Sequence, residues 1–230
     1  MSSLSRWAVA VLLSAAVFLG AASSASASTS SNSHAQSLIT SAIAATKSAK
    51  SFTIVGIGMS SGEKVKIDVT VASSDAFGVL TYGGQSTTVR RIGRAIYAKS
   101  TKGFLEQQGA SASQAAAEAN KWFSIPSSET SSYSNLKEFL TVSGLLSGLV
   151  PSTSKGTVVS VKKSTFDSQA VEVISGTFAG QKGVLDIATH GKPYVLRVVQ
   201  DASSAGGGTV TLSRYNSSVH TTVPKGAVDL

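Results

Sequence analysis

The stretch Glu63–Ala72 (EKVKIDVTVA) constrains this chain more than any other. Val65, Ile67, Val69 and Val71 alternate with Lys64, Lys66, Asp68 and Thr70. A period of two places the apolar set on one face of a strand and the polar set on the other. Such a strand needs a sheet with one covered face and one wet face. The same rhythm predicts strands near 51–58, 76–82, 86–92 and 94–100, and again at 156–165, 169–178, 181–190, 193–201 and 207–215. Gly83-Gly84, Gly93, Gly180 and Gly191 punctuate them. That spacing is that of an antiparallel meander, without the intervening helices of βαβ units.

Helical periodicity interrupts the strands in two places. Over 34–49, Leu38, Ala42, Ala45 and Ala49 recur at helical spacing, flanked by Ile39, Ile43 and Thr46. In the middle, Ser111 followed by Gln114 has the form of a capping box. A stripe of Ala112, Ala115, Ala116 and Ala119 then leads into Trp122-Phe123. A second central helix is expected from Ser134 to Val150, after Pro126 and before Pro151. The expected fold is α+β: a single curved antiparallel sheet, a half-barrel, with helices covering its concave face.

The N-terminus is expected to direct the chain out of the cytoplasm. Arg6, the apolar run 7–22 and Ala25-Ser26-Ala27 have the order of a secretory signal peptide, with cleavage expected after Ala27. The run falls short of the roughly 20 apolar residues of a spanning helix. This divides the chain into a signal peptide (1–27), a linker (28–33) and one ligand-binding domain (34–230), either secreted or held in the cell envelope. The chain has no cysteine, which excludes thiol nucleophiles, thiolate metal sites, disulfides and lipid attached through a cysteine. A net charge of +8 favours anionic surfaces such as acidic head groups or wall polymers. Nucleic acid is not an expected partner of an exported chain.

Catalytic patterns are absent. His34, His190 and His220 lie far apart in sequence and form no metal-binding spacing. No G-x-S-x-G elbow occurs, and the S-x-x-K matches lack their companion elements. Among those serines, Ser134 stands at an expected helix start, where it is also an ordinary N-cap. Glu172 and Asp186 fall on separate expected strands and are read as solvated, and Asp167 lies in a turn. Arg90 and Arg91 are adjacent on a strand, so one should face the helices. That residue is expected either to snorkel at an edge or to meet a carboxylate or an anionic head group. No catalytic residue, cofactor or metal is expected.

The apolar residues point instead to a binding role. Leu136, Phe139, Leu140, Val142, Leu145, Leu146, Leu149 and Val150 wrap more of a helix than a surface helix needs, with Gly144 and Gly148 interrupting it. Expected inner-face positions are mostly small, and only 7% of residues are aromatic. A concave sheet not filled by its own side chains leaves room for a ligand. Val69, Val71, Tyr97, Trp122, Phe139, Leu140, Leu145, Leu146 and Leu149 are the candidate contacts.

Four stretches carry a resemblance: Val89-Arg-Arg-Ile-Gly-Arg-Ala-Ile-Tyr97, Lys121-Trp-Phe-Ser-Ile-Pro126, Ala188-Thr-His-Gly-Lys-Pro-Tyr-Val-Leu-Arg-Val198, and Val223-Pro224 with Val228-Asp-Leu230. Their order resembles the LolA/LolB-like superfamily, in particular the actinobacterial lipoproteins of the LppX/LprG type. The resemblance implies a half-barrel around helices that binds acyl chains. It makes a lipid or other apolar small molecule the expected partner, with transient contact to a membrane or the cell wall. Leu19-Gly-Ala-Ala-Ser23 lacks the lipid-bearing cysteine of that group, so a released carrier is expected. The alternative is a structural or signalling module of the envelope that binds a protein or wall polymer and has a filled core.

Overall fold

A computed structural model describes residues 29–60, 62–149, 157–178, 181–201 and 207–229, with side chains given for all but 29–32, 130–131 and 147–149. The expected signal peptide therefore lies outside the described residues, as does Pro151. Helix α1 (Thr29–Lys47) is followed by strands β1 (Ser51–Ser60), β2 (Glu63–Ala72), β3 (Asp75–Tyr82), β4 (Gln85–Ile92) and β5 (Ala95–Ser100). The middle holds α2 (Lys102–Gln107), α3 (Ala112–Glu118), β6 (Phe123–Ile125), α4 (Thr130–Phe139) and α5 (Val142–Leu149). Strands β7 (Thr157–Phe166), β8 (Gln169–Phe178), β9 (Gln181–Ala188), β10 (Val195–Gln200), β11 (Gly208–Ser213) and β12 (Val228–Asp229) complete the chain.

All the strands join one open, curved sheet in the order β12-β6-β5-β4-β3-β2-β1-β11-β10-β9-β8-β7. Two meanders meet where β1 pairs antiparallel with β11, Ile54 opposite Leu212. Among the described residues the short β12 alone runs parallel to its neighbour, β6. Alternation decides the faces. Phe52 and Ile54, Val69 and Val71, Val89, Ile96, Ile174, Leu185 and Leu212 all enter one buried cluster with residues of α1, α4 and α5. The residues between them form the outer face.

Small residues on the inner face serve the curl of the sheet. Gly58 and Gly208 stand opposite each other, as do Gly176 and Gly183. A methyl group built on Gly78 would overlap the Asp68 carbonyl oxygen, and one on Gly208 the Ile57 carbonyl oxygen. Only glycine permits so close an approach of neighbouring strands, and this is how a sheet bends around its contents.

Several expectations are corrected at this level. Helix α1 begins at Thr29, inside the expected linker. Its buried stripe is Ala35, Ile39, Ala42 and Thr46, with Ala49 buried just beyond its end, while Leu38 and Ala45 are half-buried. The Thr46 hydroxyl accepts the Val195 N–H at 3.1 Å, beside a β-bulge between Val195 and Arg197. Ser111 and Gln114 do form a capping box, but the helix they start ends at Glu118. Asn120 takes a left-handed φ of 60°, which no helix continues through, and Phe123 opens a strand instead. The single helix expected from Ser134 is two. Thr141 interrupts it, its hydroxyl accepting the Gly144 N–H at 3.2 Å as an N-cap does. Ser134 accordingly sits exposed within α4.

The expected solvation of the two carboxylates is also wrong. Asp186 is fully buried on the outer side of β9, because a second small cluster of Val171, Ala188 and Leu196 covers that part of the sheet. Arg197 pairs with it, Nε donating to Oδ2 at 2.7 Å, and stacks over the Phe166 ring. The other oxygen, Oδ1, has no hydrogen-bond partner among the described residues. Glu172 is half-buried and meets His34 at 3.2 Å.

Candidate ligand site between sheet and helices

The candidate site is the contact between the concave face and the α4–α5 hairpin. The structure brings six of the nine candidate residues together there. Val69 and Val71 supply the sheet side, and Leu140, Leu145 and Leu146 the helix side, all within one cluster, with Phe139 packed against it half-buried. Leu149 ends α5, and its side chain lies outside the described residues. Leu136 of the same helical pattern is fully buried in this contact, and so are Phe52 and Ile96, which the sequence did not single out. Their side chains add to the apolar lining of this contact.

Tyr97 and Trp122 stand elsewhere. Ile96 and Ala98 are in the cluster, so Tyr97 between them turns to the outer face. Trp122 lies under two outer-face cations, Arg90 at 5.0 Å and Lys99 at 5.3 Å from the ring centre. An aromatic residue flanked by basic ones signals a cation–π arrangement as readily as a cavity wall.

A buried arginine and a tyrosine fasten the hairpin to the sheet. Arg91 is the arginine that faces inward, and only 7% of it is exposed. It is no snorkelling edge residue, and among the described residues it meets no carboxylate within salt-bridge distance. Its Nε donates to the carbonyl of Leu140, the C-terminal cap of α4, at 2.7 Å. Nη2 donates to Ala72 at 2.8 Å and Ser73 at 3.1 Å, and Nη1 to Gly93 at 3.1 Å. A helix C-terminus presents unpaired carbonyls, and a guanidinium satisfies them with charge of the favourable sign. Burial lowers the Arg91 pKa, while the nearby charge of Asp75 and the Tyr133 hydroxyl act in the opposite direction. Tyr133 of α4 adds a bond to the Arg94 carbonyl at 2.8 Å. Beside Arg91 a cleft of about 540 Å³ opens between Lys47, Ser73, Thr141 and Ser143, at the joint of the two helices.

The helices themselves are tightly joined. A methyl on Gly144 would overlap the backbone of Glu138, so α5 folds directly onto α4. Nothing in this arrangement resembles a nucleophile beside its base, and among the described residues no three His, Asp or Glu side chains gather as a metal site would require.

No protein-family profile matches the sequence, and no curated protein matches it. Solved structures do. The lipoprotein LppX of Mycobacterium tuberculosis superposes with a TM-score of 0.53 at 18% identity, over 82% of this chain and 98% of LppX. LprF from Mycobacterium bovis gives a TM-score of 0.54 at 17% identity, over 85% of this chain and 98% of LprF. The chain has the LppX-type fold. The sheet here is open, and α1, α4 and α5 lie on its concave side as the LolA/LolB-like resemblance implied. No helix among the described residues is long and apolar enough to cross a membrane.

Proposed function

We propose that this chain is a non-enzymatic, extracytoplasmic carrier of a lipid or other apolar small molecule, held between the concave sheet and the α4–α5 hairpin. The observation that carries the reading is the make-up of that contact. Both sides are lined by valine, leucine, isoleucine and phenylalanine, and one arginine fastens the joint of the hairpin through backbone carbonyls alone. A helical pair held this way can lift as a unit and expose an apolar trough, with the cleft beside Arg91 as the place where opening starts. The LppX-type fold and the acyl-chain binding implied by the resemblance support it.

The packed side chains favour a second reading, the envelope module that binds a protein or wall polymer on an already filled core. The two separate cleanly. Protein isolated from its native host is extracted with organic solvent and the extract examined by mass spectrometry, and the stripped protein is titrated with fluorescent acyl probes. A stoichiometric lipid in the extract, or saturable probe uptake, is the expected result. An empty extract with no uptake removes the carrier reading and leaves the module.

A further inference from the structure

The outer face of the sheet carries a second surface with chemistry of its own. On β1, Val55, Ile57 and Met59 point outward, and on β3, Phe77 and Val79 do the same, each 39–49% exposed. Large apolar side chains set out in rows on one face call for a partner in a way that single exposed ones do not. Between the two rows runs the polar edge of β2, with Lys66 directly opposite Ile57 and Lys64 directly opposite Met59. Among the described residues neither lysine meets a carboxylate within 4 Å. Arg90 and Lys99, on either side of Trp122, extend the basic character toward β5. The acidic groups that alternation places on this part of the face are Asp68 and, at the start of β3, Asp75. Cations outnumber anions there, and the apolar rows lie among them.

Position in the fold narrows the partner further. β3, β2 and β1 occupy the middle of the strand order. The middle of a curved open sheet is its most protruding part on the convex side, and the first part to meet a flat surface. From this geometry we infer that the convex face docks onto an anionic phospholipid bilayer. Val55, Ile57, Met59, Phe77 and Val79 enter the head-group layer, and Lys64 and Lys66 meet the phosphates. A second copy of the chain is the wrong occupant, because a net charge of +8 repels its like. Docking of this kind is independent of whether the concave side holds a ligand, and it fails or succeeds separately from the carrier reading.

The absence of cysteine makes the test direct. Ile57→Cys in the full chain is labelled with an environment-sensitive dye, and Val159→Cys, 76% exposed on the edge strand β7, serves as the control position. Vesicles of phosphatidylcholine with phosphatidylglycerol should shift the emission at 57 to the blue and leave 159 unchanged. Vesicles of phosphatidylcholine alone should do much less, and added salt should reverse the shift. The double substitution K64Q/K66Q should weaken partitioning of the 57-labelled chain by about tenfold or more. No shift at 57, an equal shift at 159, or unaltered partitioning of the lysine variant overturns the inference. So does retention on isolated wall polymer or an acidic protein without any response to vesicles.

Discussion

Arg91 shows how one side chain can organise several elements. Its guanidinium bridges carbonyls from the β2–β3 turn, the β4–β5 turn and the end of α4. Arg91→Met should remove about 2–4 kcal/mol of stability, because charged hydrogen bonds are lost and buried carbonyls are left unpaired. Arg91→Lys should recover only part of this, since an ammonium cannot reproduce the planar fork; urea denaturation of both variants checks the order. Tyr215 sets a different limit. It stacks on Tyr194 with ring centres 4.0 Å apart and donates its hydroxyl to the Val195 carbonyl. Burial raises its pKa above the ordinary tyrosine range; the Tyr194 hydroxyl adds to that and a hydrogen bond with Thr46 opposes it. A phenol whose folded pKa is raised contributes stability that is complete below the unfolded pKa and is lost as pH climbs past it. Stability should therefore fall above about pH 10, where the unfolded chain releases this proton and the folded one keeps it. Tyr215→Phe should flatten that alkaline slope while lowering stability at neutral pH, and denaturant midpoints measured across the range decide it.

At the level of elements, the α4–α5 hairpin is where packing and function meet. The close approach at Gly144 means that Gly144→Ala must push the two helices apart against the Glu138 backbone. Overpacking of this kind costs about 1–3 kcal/mol. In the carrier reading the same variant should take up acyl probe faster than the parent, because the hairpin is already partly lifted; stopped-flow fluorescence reads this. The sequence made the strands legible and the middle only partly so. Alternation located β2 from Glu63 to Ala72 without error, because at each step the apolar residue is less exposed than its polar neighbour or is fully buried, as Val69 and Val71 are. The break at Thr141 was hidden by an unbroken apolar pattern, since hydrophobic periodicity says nothing about a cap in its midst. The turn at Asn120 was missed for a related reason: an alanine stripe running into Trp122 mimics a continuing helix. For the site, the apolar contacts of Val69, Leu140 and Leu146 could be read from pattern alone. The placing of Tyr97 and Trp122 could not, because strand phase in the short β5 and β6 decides which face a ring takes. Nor could the burial of Asp186, which depends on a second cluster assembled across β8, β9 and β10 on the outer face.

At the scale of the whole molecule, one seam joins the two meanders. Each meander is made of neighbours in sequence, but β1 and β11 come from opposite ends of the chain and pair at the centre of the sheet. Hairpins close fast and cheaply, whereas a pairing that spans most of a chain waits on loop closure. The seam is thus expected to be the last registration made, and it stays open for as long as the C-terminal third is missing. Until then β1 presents a bare edge whose outward residues are Val55, Ile57 and Met59, the kind of edge that recruits other strands. A chain of this topology adds a third bare edge during synthesis to the two, β7 and β12, that the finished open sheet keeps. A holding chaperone that shields a single strand would protect it for that whole interval.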